Sequence, residues 1–213
     1  MLGTQPDLAY SVIKMSQFSA NPTEDHLKRA LYIVRYLATT RDLCLSYQGM
    51  SKDGFLAYSD TDWAGDLETR RSTTGYCIFL ADGIVSWLSQ RQRKVTLSST
   101  EAEYIGMTEV AKQLTWIKSL FTEIKIDLPP FHLYMDNQGA IFLSSNPVQE
   151  GRTKHIDIPY HYIRECVQED LIKLFYIGTN DQRADIFTKN LSRDKFGKIR
   201  NMIKVLPFSI ATT

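Results

Sequence analysis

The chain has 213 residues, 43% of them hydrophobic and 23% charged, with a formal net charge of +1. That length allows one good-sized core, or one domain with an appendage, and the composition excludes a largely disordered chain. Three widely spaced cysteines (Cys44, Cys77, Cys166) exclude a disulfide framework, and with no signal-peptide core or bilayer-length apolar run an intracellular, unsecreted protein without a membrane partner is expected.

The pattern from Asp7 to Leu37 predicts two helices, one carrying Leu8, Val12, Met15 and Phe18 and the next Leu27, Ala30, Leu31, Val34 and Leu37 at helical spacing. SANPTED between them gives a stop and a restart, with acidic residues in the new first turn. A short strand over 43–47 and the turn-rich QGMSKDG follow, and the chain divides there. Three strands come next, GFLAYSDTDW, TTGYCIFLAD and GIVSWLSQRQ, with Ala81-Asp82-Gly83 as a tight turn, which implies an antiparallel meander. A long helix is predicted over 99–124, opened by Ser98-Ser99-Thr100-Glu101, whose hydroxyls can cap free amides. Then come a strand over 131–135, a short helix, a helix over 157–166, a strand over 171–177 and terminal helices from about 183. Strands first, then helix and strand alternation, give an α/β (α+β) class with helices on a mixed sheet.

Four carboxylates stand in motifs of their own: Asp60 in YSDTDWAGD, Glu103 in SSTEAEY, Asp136 in LYMDNQGA and Asp185 in NDQRADIFTK. Two divalent cations about 3.5–4 Å apart, acting on a phosphodiester, need several anionic oxygens at one spot, and carboxylates supply them. On the long helix, Met107, Val110, Leu114, Ile117, Phe121 and Ile124 form an apolar stripe, and stepping back by 3.6 residues puts Glu103 on it. Glu101 points the other way, as a capping or surface group. Asp60 and Asp62 share a strand face, and the residues alone do not separate them. Asp136 closes an apolar strand just before a helix, where α/β sheets present ligands.

Taken singly, each of these residues has a plainer explanation. An aspartate at a strand end or helix start is more often a cap than a ligand, and Asp185 alone would be a first-turn acid behind a cap at Asn180 or Asp181. It is the set of four that favours a metal site. His155 and His161 are read as packing or surface histidines, and Tyr58, Trp63, Trp87 and Trp116 as core or rim. Arg91-Gln92-Arg93-Lys94 carries three cations, with no acid between Asp82 and Glu101. That makes Arg91, Arg93 and Lys94 a candidate phosphate-contact surface, with a solvated hairpin end as the alternative.

At these motifs the chain resembles a known family. YSDTDWAGD, RRSTTGY, VSWLSQRQRKVTLSSTEAEY, LYMDNQGAI, RTKHIDIPYHYIRE and RADIFTK look, in order, like the ribonuclease H domain of copia-type long-terminal-repeat retrotransposon Pol polyproteins. The stretch QPDLAYSVIKMSQFSANPTEDHLKRALYIVRYL resembles the C-terminal end of their reverse transcriptase. The resemblance implies a reverse transcriptase remnant over 1–48, a ribonuclease H-like domain over 52–192 with a five-stranded mixed sheet flanked by helices, and a C-terminal helix and tail over 193–213. It implies a metal-dependent endoribonuclease that cuts the RNA strand of RNA/DNA hybrids with two Mg²⁺ or Mn²⁺ ions. Asp60, Glu103, Asp136 and Asp185 match the family's ligands, and Asn137 and Gln138 are amide groups beside them, Gln138 at a substrate-contacting position. The hybrid and the remainder of the polyprotein are the implied partners.

Two departures from the family pattern matter. Many relatives carry a histidine in the loop before the last acidic residue, whereas residues 179–184 have none, which is read as a lineage feature that lowers turnover. The chain also has no Asp-Asp dipeptide and no room for fingers or palm upstream, so no polymerase activity is expected, and a fragment or degenerate copy of a longer polyprotein is. The alternative function is a catalytically silent nucleic-acid-binding relic; a DNA-cutting integrase or resolvase relative is disfavoured by its different acidic pattern.

Overall fold

A computed structural model of the protein describes residues 3–49, 54–145 and 157–208, with the backbone alone for 157–159. The N-terminal patterns fold as α1 (Ala9–Ser16) and α2 (Glu24–Thr39). The restart between them is a capping box: Thr23 Oγ1 accepts from the His26 amide, and His26 Nδ1 accepts from the Thr23 amide at 3.1 Å. No residue of α2 is buried, and Leu27, Leu31 and Val34 form an exposed stripe along it.

After β1 (Leu43–Leu45), the expected meander is formed by β2 (Leu56–Asp62), β3 (Thr73–Leu80) and β4 (Gly83–Arg91). The β3–β4 turn is two residues, Ala81 and Asp82, at φ 54° and 60°, the left-handed geometry that keeps a hairpin's twist. With β5 (Phe131–Met135) and β6 (Ile172–Tyr176) they complete the five-stranded mixed sheet, in the order β4-β3-β2-β5-β6. The β2–β5 and β5–β6 pairs are parallel, the others antiparallel.

Period-two alternation divides β2 between two cores. Ala57 faces α3 (Ser99–Glu123), α4 (Gln138–Ser145) and α5 (Asp157–Gln168), where Met107, Val110, Leu114, Leu133 and Ile163 are buried with it. Tyr58 faces the opposite side, where a 3-10 helix (Arg183–Phe187) and α6 (Arg193–Met202) contribute Ile186, Phe187 and Ile199. Ala9 of α1 lies in this second core, so both ends of the chain cover the same face of the sheet. They also join directly. β1 pairs antiparallel with β7 (Val205–Pro207), and the Tyr36 hydroxyl donates to Asp7 at 2.5 Å while Arg200 donates to Tyr36 at 3.4 Å. The pattern did not reveal β7, a three-residue strand whose partner lies 162 residues away. Among the described residues no helix is long and apolar enough to cross a membrane.

Candidate active site

β2 and β5 pair through Tyr58↔Tyr134, and Asp60 and Asp136 each stand two residues beyond that pair, at the carboxyl ends of adjacent parallel strands. Such an end is where α/β sheets present ligands. Glu103 reaches the same spot from α3 because the helix lies close to β2: a Cβ at Gly106 would stand 2.7 Å from Thr61 Oγ1, so a larger residue would push the helix away. One ligand oxygen each from Asp60, Glu103 and Asp136 lies within 4.8 Å of the others. Asp60 and Glu103 are only 3% and 5% exposed.

Asp185 arrives from the other core. Gln182 is buried and uses both ends of its amide: Nε2 donates to the Ser59 carbonyl at 2.9 Å, and Oε1 accepts from the Ala184 amide at 3.2 Å. The cap of this 3-10 helix is therefore Gln182, where the sequence pointed to Asn180 or Asp181. Gly75, opposite Asp60 in the β2–β3 register, admits the following turn, since a Cβ there would be 2.6 Å from Phe187 Cβ. Asp185 is fully buried and ion-paired with Lys189 at 2.7 Å and Lys195 at 2.5 Å. Lys189 also lies 3.3 Å from Asp60. The structure thus brings three of the four carboxylates into direct proximity and connects the fourth to Asp60 through an ammonium group. Hydroxyls complete the arrangement: Thr188 donates to Asp60, and Thr179, in the loop without a histidine, donates to Asp136 at 3.0 Å.

Burial pushes the Asp60 carboxyl up to about 6, with the charge of Asp185 adding to it and Lys189 opposing. Burial likewise raises Glu103 well above the usual carboxylate range, reinforced by Asp60 and Asp136. Lys189 is raised as well; burial works against its charge, but Asp60 and Asp185 outweigh it. Glu103 Oε2 is buried with no hydrogen-bond partner. An unpartnered buried carboxylate oxygen is costly unless something cationic meets it, and three hard oxygen donors at this spacing fit a divalent cation.

The structure also separates residues the sequence left level. Asp62 shares the strand face of Asp60 but lies over Gly65, where a Cβ would fall 1.8 Å from its Oδ2. Glu101 is a capping group, as its orientation implied: its Oε2 accepts from the Leu97 amide at 2.7 Å, while Ser98 caps α3. Asn137 Oδ1 accepts from the Ala140 amide at 3.0 Å, a helix cap, and Gln138 beside it is exposed. Arg91 lines up with Thr73 and Asp62 at the carboxylate end of the sheet, but pairs with Asp66 at 3.5 Å; Arg93 and Lys94 are exposed. His161 is exposed, and His155 lies outside the described residues. Sequence reasoning missed Lys189, Lys195, Thr179, Thr188 and Gln182. Lys189 had a signal in its i,i+4 spacing from Asp185. Lys195 had none, because its helix meets Asp185 only through the fold.

No protein-family model matches the chain. It is 40% identical over 203 residues to the retrovirus-related Pol polyprotein from transposon TNT 1-94 of Nicotiana tabacum, and 43% identical over 204 residues to that from transposon RE1 of Arabidopsis thaliana. Each match covers 95% of this chain, which spans 15% and 14% of those relatives' length. Among solved structures, LC11-RNase H1, isolated from compost by a metagenomic approach, matches with a TM-score of 0.50 at 15% identity, over 68% of this chain and 97% of that one. That likeness shows the fold, an RNase H-like sheet with its helices.

Proposed function

The chain belongs to the retrovirus-related Pol polyproteins of copia-type transposons, and from that premise we propose that it is a ribonuclease H that cuts the RNA strand of RNA/DNA hybrids with divalent metal ions. The observation that carries this reading is the convergence of Asp60, Glu103 and Asp136 from three separate elements, with Glu103 Oε2 buried and unpartnered. Asp60, Glu103 and Asp136, with Asp185, would hold two Mg²⁺ or Mn²⁺ ions, which when bound supply an activated water and charge stabilisation at the leaving 3′ oxygen.

The chain's own residues do the rest. Burial of Asp60 and Glu103 excludes water from their carboxyls, which strengthens their attraction for a cation. Thr188 and Thr179 fix the rotation of Asp60 and Asp136, so the ligand oxygens are aimed before substrate arrives. Asn137, as the α4 cap, holds the start of the helix that presents Gln138, an exposed amide suited to a 2′-hydroxyl or a base edge in a minor groove. Arg93 and Lys94, exposed at the same end of the sheet, suit phosphates, and Arg91 joins them if it leaves Asp66. Residues 1–48 are read as the end of a reverse transcriptase, with the remaining polyprotein as their neighbour.

The test is incubation of a labelled RNA/DNA hybrid in Mg²⁺ or Mn²⁺, with Asp136→Asn as the matched control and duplex DNA and duplex RNA as competing substrates. The reading expects metal-dependent loss of the RNA strand of the hybrid by the unaltered protein only. Cleavage of duplex DNA would point to an integrase-like nuclease instead, and binding of the hybrid without cleavage to a silent relic.

A further inference from the structure

The carboxylate site is asymmetric in its own cations. Glu103 and Asp136 have no lysine or arginine in an ion pair among the described residues, whereas each oxygen of Asp185 has an ammonium of its own, Lys189 on Oδ1 and Lys195 on Oδ2. Lys189 bridges Asp185 and Asp60. Lys195 comes from α6 and also donates to the Thr179 carbonyl at 3.4 Å, joining Asp185 to the loop whose hydroxyl holds Asp136. Their side chains are 32% and 29% exposed, while that of Asp185 is fully buried.

We infer that Lys189 and Lys195 are built-in counter-ions of the Asp185 half of the site, and that Lys195 and a divalent ion on Asp185 exclude one another. The inference rests on the metal-dependent reading above. A fully buried carboxylate cannot stay charged alone, so the chain supplies the positive charge before any ion arrives. Lys189 is held at both ends by carboxylates and sits four residues from Asp185 in the same turn, so it stays. Lys195 reaches in from a separate helix on a flexible four-carbon stem and meets one carboxylate where Lys189 meets two, so it is the one that can swing out. The first ion therefore enters at Asp60, Glu103 and Asp136, and an ion at Asp185 must displace Lys195.

The experiment is isothermal titration of the full chain with Mn²⁺ alone, comparing the unaltered protein with Lys195→Met, which keeps the stem and removes the charge, and Lys195→Arg, which keeps the charge. Lys195→Met should bind a second ion at least about tenfold more tightly than the unaltered protein, with the first affinity little changed, while Lys195→Arg resembles the unaltered protein. Identical isotherms for the unaltered protein and Lys195→Met would overturn the inference and leave the nuclease reading intact. Should Lys195→Met fail to fold without metal, Mg²⁺ titration of the unaltered protein with ¹⁵N-labelled lysine tests the same point. The Lys195 ammonium signal should move in the second binding step only, and a signal that never moves overturns the exchange. Hybrid cleavage is not read here, so a protein that shows the exchange but cuts nothing would sink the nuclease reading alone.

Discussion

Asp66 and Asp60 lie near the same end of the sheet and are both nearly inaccessible, 7% and 3% exposed, yet their carboxyls are pushed in opposite directions. Asp66 Oδ1 accepts from the Thr69 and Glu68 amides at 2.9 and 3.2 Å, and its Oδ2 meets Lys14 at 3.3 Å and Arg91 at 3.5 Å. The Thr69 amide foremost, with Lys14, outweighs burial and holds its carboxyl far below the usual range. Asp60 has one hydroxyl and a lysine it shares with Asp185, too little to offset burial, and it is raised to about 6. Low exposure by itself therefore says little about a carboxyl: Asp66 lies just under the surface among donors, whereas Asp60 lies deep with few. The saturated one ties α1, the 66–71 turn and the end of β4 together, while the cluster around Asp60 has fewer partners than its burial demands.

The sharpest way to break this contrast is to neutralise the under-supplied cluster. Glu103→Gln should lower hybrid cleavage by about 10³-fold or more. In EDTA the same change should raise the melting temperature by about 2–4 °C, because it relieves repulsion worth on the order of 1 kcal/mol; a melting temperature that falls instead would mean Glu103 is structurally satisfied. At the saturated end the sign reverses. Asp66→Ala strands two cations and two amides and should cost about 1–3 kcal/mol, read as a lower urea midpoint with unchanged slope.

The pH response should separate the two carboxylates next. Asp60 binds more protons folded than unfolded between its unfolded pKa of about 3.9 and its folded value of about 6. Its contribution to stability is thus full below that range and is lost as pH rises through it, at no more than about 1.4 kcal/mol per pH unit. Asp66, depressed when folded, contributes stability present above about pH 3.9 and lost as pH falls through its folded value. In EDTA, urea melts of the unaltered protein and Asp60→Asn should therefore diverge from pH 4 to 7, with the variant gaining; parallel curves would mean the carboxyl is not raised. The smallest effect expected is that of Thr179→Ala, which frees Asp136 from one hydrogen bond and should slow cleavage about 2- to 10-fold with the melting temperature nearly unchanged.

Much of this was legible in the sequence. The 3.6-residue stripe on α3 placed Glu103 on the buried face together with Met107 and Val110, and all three are buried. The meander, its turn at Ala81 and Asp82, and β5 ending one residue before Asp136 follow from local pattern, because side-chain periodicity and turn chemistry act over a few residues. Local pattern could not rank Asp60 above Asp62, since both satisfy the same alternation; the close approach of Asp62 to Gly65 is a loop contact that alternation does not encode.

The residue types and their motifs by themselves determined the fold class and the family, and singled out four candidate carboxylates. Tertiary structure alone decided which of these meet directly and which is held by lysines, and that Gln182 and Gly75 seat Asp185 against the sheet. It also decided that both chain ends close one face through β1 and β7. The physical reason is range: a helix or strand is set by neighbours a few residues apart, whereas the charge balance of a buried carboxylate depends on whatever the fold carries to within about 4 Å, and no spacing in the sequence announces that.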